Sequence, residues 1–345
     1  MSSASAPSSP LLGAERVVRR APVNLVPADT KLFAHEYAKD FGSLEALTLR
    51  SVRLLPNGFL VRGLKPLPES FVNLPRGLRR AKVALRTLQY GLSSPPRAGL
   101  GRALIITDEH SNGFFHWICD VLPRLEVLAA EAPAELAGRT LVVPAMADFP
   151  YVLPSLAPYG LKPPRILGSR ESAVSADLLV VPGAAPTGNY RPALMRALRE
   201  RYRTFFRAEA PGRRLFISRA EAPRRRIANE EELLPLLDRH GFERVVLERL
   251  SLDEQVRLTA SASVLVGSHG AGLTHLAWMS PGTRCLELRR RGDAENNCYF
   301  SLASALDIEY FYLACDAVDP RQGTHVADLI VKPGEFDRAL AALLA

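Results

Sequence analysis

The chain has 345 residues, 47% of them hydrophobic and 23% charged. That excludes a low-complexity polymer and leaves room for two cored domains. The net charge is +8, but 38 of the 44 basic residues are arginine and they are spread widely, which argues against a nucleic-acid-binding face. No stretch approaches 18 consecutive apolar residues, and the four cysteines form no CxxC pair or zinc-spaced set with histidine, so a membrane-spanning helix and a zinc site are both set aside.

Residues 1–15 are rich in Ser, Pro and Ala, lack the apolar centre of a signal peptide and are expected to be disordered. Residues 46–64 read as short strands around a turn at Pro56-Asn57-Gly58. From residue 102 the pattern becomes strand, helix, strand, helix: RALIITD, FFHWICDVLPRLEVLAAEA, RTLVVPA, a Pro-broken helix near 149–159, ADLLVVPG, and a helix opened by Pro192. Such alternation implies a parallel sheet covered on both faces.

The same rhythm returns after residue 212. RRLFISR is a strand, and Asn229 with Glu232 resembles a capping box for a helix that stops at Gly241. RVVLERL is the next strand, and Ser251 with Glu254 forms a second capping box. SVLVGS, the helix AGLTHLAWM and the strand TRCLELR follow, then a helix at 299–306, a strand at 308–313 and an amphipathic terminal helix. The expected division is an N-terminal domain at 16–207, a second domain at 208–333 and a closing helix at 334–345. Cys119, Cys285, Cys298 and Cys315 read as reduced core thiols of a cytosolic protein.

The most informative stretch is VLVGSHGAGLTHLAWM. A buried strand runs into Ser268, His269, Gly270, Ala271 and Gly272 and then directly into a helix. Glycine lets a ligand approach the backbone, and the first free N–H groups of a helix suit an anion such as a pyrophosphate. The spacing is neither the dinucleotide fingerprint nor a Walker loop. His269 and Thr274 add polar groups there. Glu287, at the carboxyl end of the next strand, can accept both hydroxyls of a ribose or can pair with Arg289. Arg219 ends the first strand of this half, and Arg226 precedes its helix; guanidinium forks suit a diphosphate.

In the first half, HSNGFFHWICDVLPRL follows the strand RALIITD. His116 and Asp120 are four apart and share a helix face, as a general base backed by a carboxylate would. Either residue can be the base, and both can equally be structural. Asn112 either caps the helix or touches a sugar, and Trp117 is either a core or helix-terminus residue or lies on the acceptor side. The chain has no G-x-S-x-G elbow, no HExxH and no Asp-x-Asp, so a serine hydrolase and a metal-bound nucleotide both fit poorly.

In order, NGFFHWICDVLPRL, FISRAEAPRRRIANEEEL and VLVGSHGAGLTHLAWMSPGTRCLEL resemble glycosyltransferase family 61, over roughly residues 100–291. The resemblance implies an α/β fold of GT-B type, two Rossmann-like domains facing a central cleft, and an inverting transfer without a metal or other cofactor. Its partners would be a nucleotide-sugar donor and a saccharide acceptor, in the assembly of surface or capsular polysaccharide. It places Arg219 and Arg226 on the donor phosphates, residues 268–272 on the pyrophosphate, Glu287 on the ribose, and His116 and Asp120 in the acceptor-side block. Phe114 and Phe115 stand where many relatives carry a small residue. The expected location is cytoplasmic, with peripheral contact at the inner face of the plasma membrane left open. Two alternatives stand beside this: an epimerase acting on nucleotide sugars with the same double-Rossmann fold, and a basic nucleic-acid-binding protein.

Overall fold

In a computed structural model of the chain, residues 10–72 and 74–345 are described, with the side chains of 97 and 98 set aside. The disorder expected over 1–15 falls partly on residues 1–9, outside the described residues. From Leu12 onward the expectation fails, because Leu12 and Leu44 exchange backbone hydrogen bonds in an antiparallel bridge. Strands β1 (Glu15–Val18) and β2 (Ala38–Phe41) then form a ribbon of their own. By contacts the chain falls into two compact units, residues 41–187 with the described part of 1–15, and residues 16–40 with 188–345.

The first unit is built on a seven-stranded mixed sheet. Its strands are β3 (Leu47–Leu54), β4 (Leu60–Arg62), β5 (Lys65–Pro66), β6 (Pro96–Ile105), β7 (Thr140–Val143), β8 (Arg165–Ile166) and β9 (Ser172–Val180), in spatial order 5-4-3-9-6-7-8. The strands β9, β6, β7 and β8 are parallel, and β3, β4 and β5 add an antiparallel wing. The parallel part is legible as apolar runs because helices cover it, and Val52, Leu54, Ile105, Val142, Leu178 and Val180 meet in its core. The turn at Pro56-Asn57-Gly58 is present, with Gly58 at φ +81°. A helix at Gly77–Ser93 lies between β5 and β6, where no helix is expected from the sequence.

The second unit carries a six-stranded sheet. Strands β10 (Arg213–Ile217), β11 (Glu243–Val245), β12 (Ala262–Ser268), β13 (Arg284–Arg290), β14 (Glu309–Ala317) and β15 (Leu329–Ile330) lie in order 11-10-12-13-14-15, parallel except for β15. The chain leaves β10 to one side to make β11, then returns to the other side for β12. The carboxyl ends of β10 and β12 therefore flank the topological switch point, where open α/β sheets place their crevice. The terminal helix Pro333–Leu344 packs Phe336, Leu340 and Leu343 into the core of this sheet.

Residues 16–40 and the helix Pro192–Phe205, expected in the N-terminal domain, group with this second unit. The reason lies in specific contacts. Asn24 donates to the Tyr312 carbonyl at 2.7 Å and accepts from its N–H at 3.1 Å. Phe33, fully buried, sits among Phe300, Tyr310 and Tyr312, with centroids 5.1–6.1 Å away. One phenylalanine buried in this way contributes about 1.5–3 kcal/mol. Tyr202 stacks on Trp278 at 4.4 Å. These pairings join residues far apart in sequence, so no local pattern announces them.

One capping box is present and the other is not. Ser251 and Glu254 close the reciprocal bonds at the start of Leu252–Ala260. Asn229 instead spends its amide on strand-like pairing with Val331, accepting at 3.0 Å and donating at 2.8 Å, besides a 3.2 Å contact to Glu232. Tertiary pairing has taken over a residue that local chemistry assigned to the helix.

Candidate active site

The glycine-rich turn lies at the end of β12. Across the sheet, Ile217, Gly267, Glu287 and Tyr312 are side by side in register. Every following residue of β10 and β12 therefore enters the switch-point region. The expected α-helix after the turn is a 3₁₀-helix, Ala271–Trp278, with only its N-terminal residues 271 and 272 partly exposed. Its opening N–H groups, at Ala271 and Gly272, have no acceptor within the helix.

Arg219 enters this corner from β10. It is buried, and its guanidinium donates to the carbonyls of Arg225 at 3.2 Å and Arg224 at 3.0 Å. No carboxylate among the described residues lies within ion-pair distance of it. Burial, with the nearby charges of Arg225 and Arg224, lowers its pKa below the ordinary guanidinium value, against a weaker upward pull from Tyr299 and Glu248. A methyl group at Gly270 would lie 2.7 Å from Arg219 Nη1, so only glycine lets the guanidinium lie against the turn. Ser268 is also buried and donates to the Arg225 carbonyl at 3.2 Å. A buried cation without a counter-charge is costly, and an anion would relieve that cost.

Glu287 is placed otherwise than the sequence suggests. It is fully buried, and both its oxygens are engaged, one by His269 Nδ1 and one by the Tyr310 hydroxyl at 2.5 Å. A ribose would need an open carboxylate, which Glu287 does not offer in this structure. Arg289 extends the chain, donating to Tyr310 Oη at 3.2 Å and to the Asp293 carbonyl at 2.7 Å. Burial raises the Glu287 carboxyl, but His269, Arg289 and Tyr310 more than offset it and hold it below its ordinary value. A carboxylate only accepts, so His269 Nδ1 carries the shared proton and its Nε2 is left for other partners. The Tyr310 part of this chain gives no signal in the sequence, since it depends on which strand lies beside β13, whereas Arg289 is the alternative partner that the sequence offers Glu287.

Two further expected donor residues sit apart. The Thr274 hydroxyl is fully buried without a hydrogen-bond partner among the described residues, inside the 3₁₀-helix and away from solvent. The Arg226 side chain is half exposed and paired with Asp328 at 3.3 Å, while its own N–H bonds the same carboxylate at 2.8 Å. Of the RRR run it is Arg224 and Arg225, through their carbonyls, that hold Arg219.

In the first unit, β6 runs into a loop and then a helix whose turn at Trp117–Val121 is π-helical. Such wide turns recur at functional positions. His116 Nδ1 lies 2.8 Å from Asp120 Oδ2, and Thr187 donates to the same oxygen at 3.3 Å. Asp120 is mostly buried and His116 about a third exposed, so the imidazole faces outward with the carboxylate behind it. Trp117, expected on the acceptor side, is instead in the core: its side chain is fully buried and donates to Ser155 Oγ at 2.7 Å. Asn112 is exposed in the preceding loop. That loop is organised by Asp108, which accepts from Arg124 and Ser111 and from the His110 N–H at 2.9 Å. The sequence reading did not single out Asp108 or Arg124; a carboxylate at the end of a parallel strand was the available signal.

Parallel strands with polar and basic side chains gathered at a switch point define the class: an α/β ligand-binding fold of the type that enzymes use. The family model described as Glycosyltransferase 61 matches residues 114–286, half of the chain, from just before His116 to just before Glu287. The chain belongs to glycosyltransferase family 61.

Curated relatives agree over shorter stretches. The EGF domain-specific O-linked N-acetylglucosamine transferase of Drosophila melanogaster is 40% identical over 90 residues, 25% of this chain and 17% of that protein. The Bos taurus protein of the same name is 33% identical over 91 residues, again 25% and 17%. The Beta-1,2-xylosyltransferase RCN11 of Oryza sativa subsp. japonica is 49% identical over 39 residues, 11% of this chain and 7% of that protein. The matched stretches thus span less than a fifth of the length of these relatives.

Proposed function

We propose that the protein transfers a sugar from a nucleotide-sugar donor to a hydroxyl of a saccharide acceptor, with inversion and without a metal ion. The observation that carries the reading is the buried guanidinium of Arg219, with no ion-paired carboxylate among the described residues, laid against Gly270 beside the opening N–H groups of the helix Ala271–Trp278. A diphosphate supplies the missing negative charge, and fixed donors of this kind stabilise the charge that grows on a leaving diphosphate. Family membership and the names of the relatives support sugar transfer in particular.

In this reading His116 is the base. Its Nδ1–H is held by Asp120, which leaves Nε2 to take the proton of the attacking hydroxyl. His269, held by Glu287, offers a hydrogen bond to the donor, and Glu287 acts through it rather than on the ribose itself. The GT-B arrangement and a role in surface polysaccharide assembly at the cytoplasmic side of the plasma membrane belong to the same proposal.

Titration calorimetry of the purified protein with UDP, GDP and CMP tests the donor site. Micromolar binding of one of them, tenfold or more weaker in Arg219→Ala, is the expected result. No binding of any, or equal binding by the variant, removes the reading. Turnover that persists in EDTA and needs an added acceptor completes it; conversion of the donor alone assigns an epimerase instead.

A further inference from the structure

The helix Gly77–Ser93 is turned the unusual way round. It buries Val83, Thr87 and Gly91, a narrow stripe of small residues, against the core of the antiparallel wing. At Gly91 the two elements come so close that an added Cβ would fall 2.6 Å from the tip of the Leu64 side chain. The leucines face water: Leu78 is 84% exposed, Leu85 67%, Leu88 45% and Leu92 70%. At about 100° per residue, these four lie within roughly 80° of one another, on the side away from the buried stripe. Leu74, just before the helix, is 63% exposed as well.

The charged residues on this helix are all of one sign. Between residues 70 and 94 the described sequence holds Arg76, Arg79, Arg80, Lys82 and Arg86 and no acidic residue. Arg79 is paired with Glu109. Among the described residues, Arg76, Arg80, Lys82 and Arg86 have no carboxylate within ion-pair distance. By helix geometry Lys82 and Arg86 lie along one edge of the leucine row. An exposed apolar row edged by unpaired cations is the pattern of a helix that lies in the plane of a membrane interface.

We infer that the helix at 77–93 docks the protein on an anionic lipid surface, with Leu78, Leu85, Leu88 and Leu92 entering the acyl boundary and Lys82 and Arg86 meeting headgroups. Charge selects this occupant over a second copy of the chain. Two copies joined through this face would bring four unpaired cations together, Lys82 and Arg86 from each, with no acidic residue from either helix, whereas an anionic surface draws each cation in. The helix, about 25 Å long, lies along the interface and does not cross it.

Co-sedimentation of the full-length protein with vesicles tests this. Binding is expected to phosphatidylglycerol–phosphatidylcholine vesicles, to weaken as salt rises, and to be slight on pure phosphatidylcholine. Lys82→Gln and Arg86→Gln should each weaken it roughly fivefold. The double variant Leu85→Ser, Leu92→Ser should lose tenfold or more. All four side chains are exposed, and an unchanged thermal melt confirms that the variants fold. Failure to bind anionic vesicles, or undiminished binding by the double serine variant, overturns the inference. So does a concentration-dependent dimer in light scattering that this variant abolishes, since the leucines would then be covered by a second copy.

Discussion

Arg219 and Gly270 fit together so closely that a side chain on the glycine would displace the guanidinium: an added Cβ would sit 2.7 Å from Nη1 and 2.9 Å from Cζ. The clash falls on the far end of a flexible side chain and not on backbone. Gly270→Ala should therefore fold, with a melting temperature within a few degrees of the parent. Nucleoside diphosphate affinity should fall about tenfold, as expected when one charge-assisted contact is misplaced. Calorimetry beside a thermal melt checks both halves, and unchanged affinity would show that the guanidinium does not touch the ligand.

Arg219 is charged, buried and without a carboxylate partner, so it costs the empty protein stability and repays that only when an anion binds. Arg219→Lys keeps the charge but loses the planar fork that spans the two carbonyls. It should bind UDP more weakly than the parent yet better than Arg219→Ala. The thermal shift given by UDP, rather than the melting point of the free protein, should track that order. A large drop in the free protein's melting point for Arg219→Ala would mark the residue as structural.

Asp120→Asn replaces the acceptor-only carboxylate that fixes the His116 tautomer with an amide that can also donate. Turnover should fall by about 10²–10⁴-fold, with His116→Ala at least as severe. Donor affinity should stay within about twofold in both, measured by calorimetry. Full turnover in both variants would exclude the pair from the chemistry.

His275 is wholly buried in the 3₁₀-helix, and burial lowers its pKa from 6.5 to about 3. An unfolded chain takes up a proton on this ring as pH drops below 6.5, while the folded chain resists until about 3. Folding stability therefore falls through that window, by about 1.4 kcal/mol per pH unit from this group alone. Denaturant midpoints of His275→Gln between pH 6 and pH 4 should show a slope shallower by about that amount. An unchanged slope would refute it.

Asp108 shows the opposite sign. Burial raises its carboxyl, but Arg124, the His110 N–H and Ser111 outweigh this and hold it below the usual range. Its contribution is complete above the unfolded value near about 3.9 and is lost as pH falls through the lower folded value. Asp108→Asn strands the buried Arg124 and should lose about 3–5 kcal/mol near neutral pH. Chemical denaturation should show that gap closing below about pH 4; a neutral-pH loss under about 1 kcal/mol would place the pair among ordinary surface bridges.

The parallel cores were legible because apolar runs such as SVLVGS and RALIITD have few other uses, and the turn at 268–272 because strand and helix meet there without a linker. What stayed hidden depended on which distant residues become neighbours. Glu287 reads as an open carboxylate until Tyr310 on β14 is placed beside it. Asn229 reads as a cap until Val331 arrives. Trp117 shares a segment with His116, but neighbouring helix positions point about 100° apart, and one side chain faces the core while the other stays outside. The helix at 77–93 escaped because its leucines do not mark the core: the buried face is written in Val, Thr and Gly.

The wide turn at Trp117–Val121 also bears on how the chain could change over generations. A π-helical turn absorbs one surplus residue while the helix on either side keeps its orientation. Loss or gain of a single codon there would alter whether Asp120 meets His116 and leave Leu122 and Leu125, both fully buried, where they are. A one-residue insertion or deletion there would thus separate the pair without unpacking the core behind it.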